Sequence, residues 1–576
     1  MRQKKIKQEW IDFLFLIVIG IFLSAPAFLP GTLRGHDIEF HYGRIYGICD
    51  GLLSGDFFVK LCSNWFEGNG YLVGAFYGDF LLYIPAVLHL LGVKMQTSYQ
   101  IFWVVINLLT LFIAYFSFKG IWKNERVAFL GAIVYSCNLY RLVDIYIRQA
   151  VGEYCAFLFF PLIALGFYKV FAEEENTDAK CNSGWMILSI AFSGLLNTHI
   201  LSCEMVAIFG ILLFVLLLRK FATARLWKYI GLTLTTTLGL SASFLVPFVD
   251  AMFIKGDTNV SDASRNIFSL AERGIQASFF RNLFAKQLGS IIGMEDGFAI
   301  TFLWGLTIIA VSVLLSVFAG SFRKRKILFI SGVFGLLALF MATKYFPWDA
   351  IRKLPGLENV VSSLQYPWRL LGLAGLFVAL CFMGALVLPK NIGKMYRVAN
   401  IAVMVLVIVI TILPAAFFIK KTMERTSFIE FNDRASLKFM YKGGEEYLPR
   451  GTDVSLLSTE LTVFGDAEIS DYQKDGANVR FHIVSDSTCR IELPLLYYWY
   501  YKGTMNGVEI PVVAGTNNRV TVNLPENSAG DVEVFWDTPI MWRFSYVVTV
   551  ATCLAVVVLI CFKIYQNYFN KTIDNS

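Results

Sequence analysis

The sequence predicts a polytopic α-helical membrane protein with an all-β domain held outside the membrane near its C-terminus. Three observations lead there. The 576-residue chain is 56% hydrophobic and only 16% charged, with a mean hydropathy of +0.59. A water-soluble protein of this length does not have that balance. Its apolar residues gather into about twelve segments near the ~20-residue length that crosses a bilayer as a helix. Between residues 420 and 541 those segments give way to short alternating runs that read as strands.

The first span is expected over residues 11–29, after the basic start MRQKKIK, and runs from inside to outside. Ala25-Pro26-Ala27 has the small-residue look of a cleavage site, but with so many spans following, the segment reads as a retained anchor. An outer loop, 31–75, comes next. Residues 76–93 are apolar yet contain Asp79, Pro85 and His89. A full span here would put Lys119–Arg126 outside, so the piece reads as juxtamembrane or re-entrant.

The remaining spans then alternate over 98–118, 127–140, 152–171, 184–201, 203–218, 228–252, 298–319, 327–343, 368–388, 398–418 and 542–562. The loops KGIWKNER, RKFATARLWK, SFRKRK and KNIGKMYR are all basic and all fall on the N-terminal side. By the positive-inside rule that side is cytoplasmic. The acidic loop AEEENTDAK shares it, but acidic residues weigh little in this rule. The net charge of +7 is therefore loop charge divided among spans, and no nucleic-acid partner is expected.

The ten cysteines include no CxxC, which argues against a structural zinc site. Cys49 and Cys62 share the first outer loop and read either as a pair or as two buried thiols. In the β region the runs at 479–484, 489–498, 519–525 and 531–536 alternate, and Asn506-Gly507 is a hairpin signal. A sandwich fits better than a barrel. The chain thus divides into a transmembrane domain, 1–419, an extracytoplasmic β-sandwich-like domain, 420–541, and a C-terminal anchor with a short tail, 542–576.

Candidate chemistry collects at the outer ends of spans. After the first span come His36, Asp37, Glu39, His41 and Arg44. If this stretch is helical, Asp37, His41 and Arg44 fall at i, i+4 and i+7 on one face, beside an apolar stripe of Ile38, Tyr42, Ile45, Cys49 and Leu52. The expectation is an amphipathic surface helix that offers a carboxylate, an imidazole and a guanidinium. Arg141, Asp144, Arg148 and Glu153 cluster farther on, with Glu153 in a first helical turn where a carboxylate suits the dipole. They read either as interfacial residues pairing with one another or as a rim of the cleft around Asp37. His199, in Asn197-Thr198-His199, is either a local hydrogen-bonding group or part of the same cleft. A metal held by Asp37, His41 and His199 stays open. Gln365-Tyr366-Pro367-Trp368-Arg369 opens a span, and a cation in a first turn opposes the dipole unless an anion is present. Arg369 is thus a snorkelling residue or half of an anion site with Gln365.

These motifs carry a resemblance. The HDxxFHxxR stretch, Phe76-Tyr77-Gly78, Arg148 with Glu153, Asn197-Thr198-His199, Gln365 to Arg369 and Glu446-Tyr447-Leu448-Pro449 together resemble bacterial membrane proteins labelled "6-pyruvoyl-tetrahydropterin synthase-related". Nothing in the residues points to pterin chemistry. That family looks like the GT-C class of polyprenyl-phosphate-sugar glycosyltransferases, which have a many-span bundle and an acidic residue in the first outer loop. The resemblance implies a GT-C-like bundle in a bacterial cell membrane. It implies membrane lipid, a polyprenyl-phosphate sugar and an envelope glycan as partners. Asp37 becomes the catalytic base, with His36, His41, Arg44, Arg148, Glu153, His199, Gln365 and Arg369 as substrate-binding candidates. Many members of that class carry two acids where this chain has His36-Asp37, which leaves a divalent metal open.

On this reading Asp37 takes the acceptor's proton. An ordinary Asp, with a pKa of ~3.9, is a feeble base, so burial must raise it. Arg44, Arg148 and Arg369 would neutralise the departing lipid phosphate, help worth on the order of 3 kcal/mol. The β-domain would orient the acceptor. The alternatives are a transporter or flippase of lipid-linked sugars, which would hold its ionisable groups near the bilayer midplane, and a non-enzymatic envelope-assembly protein.

Overall fold

The computed structural model describes residues 2–172, 183–260, 269–286, 293–317, 322–387, 394–429 and 445–573. The acidic stretch after Ala172 and the first half of the KNIGKMYR loop lie outside them. Among the described residues seven helices are long and apolar enough to cross a membrane, or eight if the bent pair Glu125–Ser136 and Leu139–Arg148 is one span. Four further expected spans coincide with shorter apolar helices: Trp10–Leu23, Gly184–Leu196, Ile200–Leu216 and Lys326–Met341. The segment read as juxtamembrane is also a short apolar helix, Phe80–Leu90.

The chain divides into two compact units, one of residues 1–38, 93–233 and 264–430, the other of 39–92, 234–263 and 431–576. The first is helical. Its central helix, Leu370–Leu386, is buried along its length except at Phe377. Phe322–Met341, Met294–Val317 and Glu125–Ser136 pack around it. A helix apolar on every side belongs at the middle of a bundle, because no face of it has a polar environment to meet. Close approach is part of this packing. A Cβ on Gly375 would stand 2.2 Å from the Asn138 amide nitrogen, so only glycine lets Asn138 reach its place. From there the Asn138 side chain accepts from the Tyr140 N–H at 2.9 Å and caps the helix Leu139–Val143. A two-stranded antiparallel ribbon, β1 (Thr32–Leu33) with β2 (Phe428–Ile429), ties the end of the first helix to the chain beyond Lys394–Met423.

The second unit holds the β region. Its strands are β3 (Thr462–Phe464), β4 (Glu468–Asp475), β5 (Asn478–Ser485), β6 (Cys489–Leu496), β7 (Tyr501–Met505), β8 (Val508–Ile510), β9 (Val512–Ala514), β10 (Arg519–Leu524) and β11 (Ser528–Trp536). They form a four-stranded sheet, β3-β6-β10-β9, and a five-stranded sheet, β4-β5-β11-β7-β8. Phe481, Ile491, Leu493, Val522 and Val534 come from both sheets and share one core. That is a sandwich, and the alternation along the strands supplies its inner faces. Asn506 and Gly507 both have positive φ, 51° and 80°, the conformation a two-residue type I′ hairpin requires between β7 and β8. A second core in this unit gathers Trp65, Tyr71, Leu448, Tyr498 and Trp542. Cys49 and Cys62 are both buried free thiols.

Candidate functional site

The loop after the first helix is fastened onto a turn of the bundle. His36 N–H donates to the Ile147 carbonyl at 3.1 Å, and Asp37 N–H to the Arg148 carbonyl at 3.0 Å. The Gln149 amide donates to the Leu33 carbonyl at 2.6 Å. Gly35 makes room for it, since a Cβ there would meet the Gln149 side chain at 2.5 Å. The turn itself is unusual. The helix Leu139–Val143 continues as a π-helical turn, Asp144–Arg148, closed by Gln149 in the left-handed region at φ 55°. A π-turn widens the helix by one residue and re-aims the side chains on it. Here it sets Arg148 against Asp144, one turn earlier, as an ion pair.

Arg148 is the hub of a buried network. Besides Asp144, its Nη1 donates to Glu153 Oε2 at 2.8 Å and to the Tyr140 hydroxyl at 3.3 Å. The Tyr140 hydroxyl donates in turn to Glu153 Oε1. Glu153 lies in the first turn of the short helix Val151–Ala156. Arg369 closes the network, with its Nε 3.3 Å from Glu153 Oε2. It is the last residue of the 3₁₀ turn Pro367–Arg369, ahead of Leu370–Leu386. Its Nη1 donates to the Leu364 carbonyl at 2.9 Å and to Gln365 Oε1 at 3.2 Å. Its guanidinium also stands 5.3 Å from the Tyr366 ring centroid. The anion beside Arg369 in this structure is therefore the Glu153 carboxylate, and Gln365 serves the arginine.

Asp37 lies at the partly exposed edge of this network, and neighbouring His36 is exposed. Burial pushes the Asp37 carboxyl above its ordinary value. The Arg148, His36 and Arg369 charges pull the other way, and Glu153 adds to the rise. His199 precedes the helix Ile200–Leu216, with its Nδ1 2.8 Å from Ser202 Oγ, and lies within the electrostatic reach of Glu153, Arg369 and Arg148. Asp37, Arg148, Glu153, His199, Gln365 and Arg369 thus belong to one region of the first unit.

His41 and Arg44 belong to the second unit. Arg44 donates to the carbonyls of Tyr77 at 3.0 Å and Gly78 at 2.8 Å, and lies over the Tyr77 ring at 4.3 Å. His41 packs edge-on to Phe40 and Tyr77. The helix they share, Ile38–Leu53, is buried on all sides from His41 to Cys49. This differs from the expected amphipathic surface helix: the Arg44 charge is met by backbone carbonyls instead of water, so its face can be buried too. Arg141 leaves the expected cluster as well, donating to Asn107 at 2.8 Å and Thr110 at 3.2 Å.

Glu204 was not singled out from the sequence. It sits in Ile200–Leu216, accepts from the Ser363 hydroxyl at 2.7 Å and feels the Arg369 charge. Its signal was available, since an acid inside the apolar run LSCEMVAIF is costly and asks for a reason. Among the described residues no three His, Cys, Asp or Glu side chains are grouped to hold a metal ion.

No protein-family model matches the chain, and the comparison with curated proteins finds no match. Among solved structures the chain is similar to the arabinofuranosyltransferase AftD from mycobacteria, at 9% identity and a TM-score of 0.39. The alignment covers 73% of this chain and 27% of that enzyme, so the chain spans about a quarter of its length.

Proposed function

We propose that this chain is a membrane glycosyltransferase of the GT-C kind, using a polyprenyl-phosphate sugar as donor and an envelope glycan, lipid or protein as acceptor, with Asp37 as the base. One observation carries the proposal. The carboxylates Asp37, Asp144 and Glu153 accompany the guanidiniums of Arg148 and Arg369, and Glu204 lies within the electrostatic reach of Arg369. Asp144 and Glu153 are in direct ion pairs with those cations. Among the described residues Asp37 is in no such ion pair, and it lies at the accessible edge with its pKa raised by burial. Such a group is suited to accept a proton at neutral pH.

In the reaction the acceptor hydroxyl gives its proton to Asp37 as its oxygen bonds to the sugar's anomeric carbon. The bond from that carbon to the phosphate oxygen breaks, and polyprenyl phosphate departs with the electron pair. Arg148 and Arg369 offer their remaining N–H donors to the departing phosphate, and Glu153 fixes both in position. The β-sandwich of the second unit serves the acceptor. The flippase alternative expects ionisable groups near the bilayer midplane, at the ends of broken helices. Asp37, Glu153, His199 and Arg369 stand at or just before helix starts, which both readings accommodate, so the assay separates them.

The test is transfer from a radiolabelled polyprenyl-phosphate sugar by the purified full chain in lipid nanodiscs. Product formation that Asp37→Asn abolishes supports the proposal. Bidirectional movement of the intact lipid-linked sugar without transfer would replace it with the flippase reading.

A further inference from the structure

The first unit has an apolar groove that the sugar-transfer chemistry does not use. It encloses about 300 Å³, within the ~300–1,000 Å³ of ordinary ligand sites. Its walls come from the helices Phe160–Ala172, Ile200–Leu216, Phe322–Met341 and Leu370–Leu386. Phe209 and Phe377 pack against one another on one side, with ring centroids 4.9 Å apart. At Gly210 an added Cβ would meet nothing within 4 Å, so the helix there faces open groove.

Two cations stand at one end, Lys220 and Lys326, and among the described residues no carboxylate lines the groove. Lys220 is anchored there by donating to the Phe171 carbonyl at 3.0 Å. Lys326 ends the sequence run Arg323-Lys324-Arg325-Lys326. The other end of the groove begins at Leu373, one turn beyond Arg369. The helix Ile200–Leu216 has 17 residues, so the lysine end lies about 25 Å along its axis from His199. That is close to the ~30 Å of hydrocarbon in a bilayer. An apolar slot closed at one end by two ammonium groups has the charge and polarity of an anionic lipid turned inside out.

We propose that this groove is a binding site for an anionic glycerophospholipid of the leaflet that meets the basic loops. Lys220 and Lys326 bind its phosphate, and an acyl chain runs between Phe167, Phe209 and Phe377. The lipid holds the four helices together at the face away from Asp37. The proposal is independent of the sugar-transfer reading.

The full chain, purified in mild detergent, is exposed to equimolar phosphatidylglycerol and phosphatidylcholine of matched chains, and retained lipid is counted by native mass spectrometry. The expected result is one phosphatidylglycerol per chain with at least fivefold preference. Lys220→Gln with Lys326→Gln should abolish the preference. Gly210→Trp should displace the lipid while cooperative unfolding is kept. Equal retention of the two lipids by the parent overturns the proposal, as does a preference that survives the double lysine change in a folded chain. Displacement by polyprenyl phosphate that is indifferent to the lysines also overturns it, and assigns the groove to an isoprenoid tail. The parent measurement decides the matter even if a variant fails to fold.

Discussion

Arg148 and Arg369 share one oxygen, Oε2 of Glu153, at 2.8 Å and 3.3 Å. The two arginines are 221 positions apart, Arg148 ending the π-turn Asp144–Arg148 and Arg369 ending the 3₁₀ turn Pro367–Arg369, and this single carboxylate joins them. Two guanidiniums at such separation repel unless a counter-charge lies between. Glu153→Gln keeps the volume and the acceptor for Tyr140 but removes that charge. Breaking one partner out of a buried pair costs about 3–5 kcal/mol. The variant should therefore lose on that order of stability, read by chemical unfolding in detergent. An unchanged unfolding midpoint would mean that Glu153 is not the counter-charge.

Asp37 should behave oppositely. Its folded pKa lies above the ordinary 3.8, with burial the largest cause. For a group so raised, the favourable term belongs to the protonated form. It is fully present below the unfolded value and is lost as pH rises through the folded value. At neutral pH the ionised carboxylate is thus a burden on the fold. Asp37→Asn should unfold no earlier than the parent near pH 7, and the difference should shrink toward pH 4. Activity should fall by two or more orders of magnitude if Asp37 is the base. The parent's kcat/KM should rise with pH along a limb set by an acid above 3.8, and the variant's residual rate should lack that limb. A normal rate in a normally folded variant sinks the assignment.

Much of this site was legible in the sequence, because charges in apolar segments are rare and conspicuous. Arg148 and Glu153 could be picked out that way, Asp37 by its spacing with His41 and Arg44, and Arg369 as a cation in a first helical turn. Their partners could not. Periodicity put Asp37, His41 and Arg44 on one helical face, but the helix begins at Ile38, and Arg44 turns to the Tyr77 and Gly78 carbonyls. No local pattern announces which backbone carbonyl will satisfy a guanidinium. The π-turn at Asp144–Arg148 was hidden for a related reason, since it depends on tertiary packing and has no composition of its own. The strands at 479–484 and 531–536 were readable because alternation records a two-faced environment directly.

Gly375 offers a test of how the fold places Tyr140. A side chain there would collide with Asn138, whose cap starts the helix carrying Tyr140. Gly375→Val should cost about 1–3 kcal/mol from overpacking, and a further ~1 kcal/mol if the cap is lost. Asn138→Ala should cost only the cap, and adding it to Gly375→Val should then cost almost nothing more. A double-mutant cycle in which the two effects add fully would show that the glycine and the asparagine act separately.

Membrane orientation rests on the basic loops and is tested by labelling. Single cysteines at Asn259 and Asp471, in a background without the native thiols, should react with an impermeant maleimide on intact cells. One at Arg323 should react only after permeabilisation. Labelling of Arg323 in intact cells would reverse the arrangement and move Asp37 to the cytoplasmic face.

Arg369 separates a charge requirement from a geometric one. Its guanidinium spans Leu364, Gln365 and Glu153 at once, through two nitrogens set in a plane. A lysine ammonium is a point charge on a flexible stem and cannot hold that fork. Arg369→Lys should keep the charge near Asp37 but let the turn before Leu370–Leu386 loosen. The expected result is weaker donor binding, roughly tenfold in KM, with kcat less affected, since a cation still faces the leaving phosphate. Arg369→Gln removes the charge as well, so kcat should fall too. Equal kcat losses in both variants would mean that the planar contacts, and not the charge, are what the reaction uses. Unchanged kinetics in both would remove Arg369 from the site altogether.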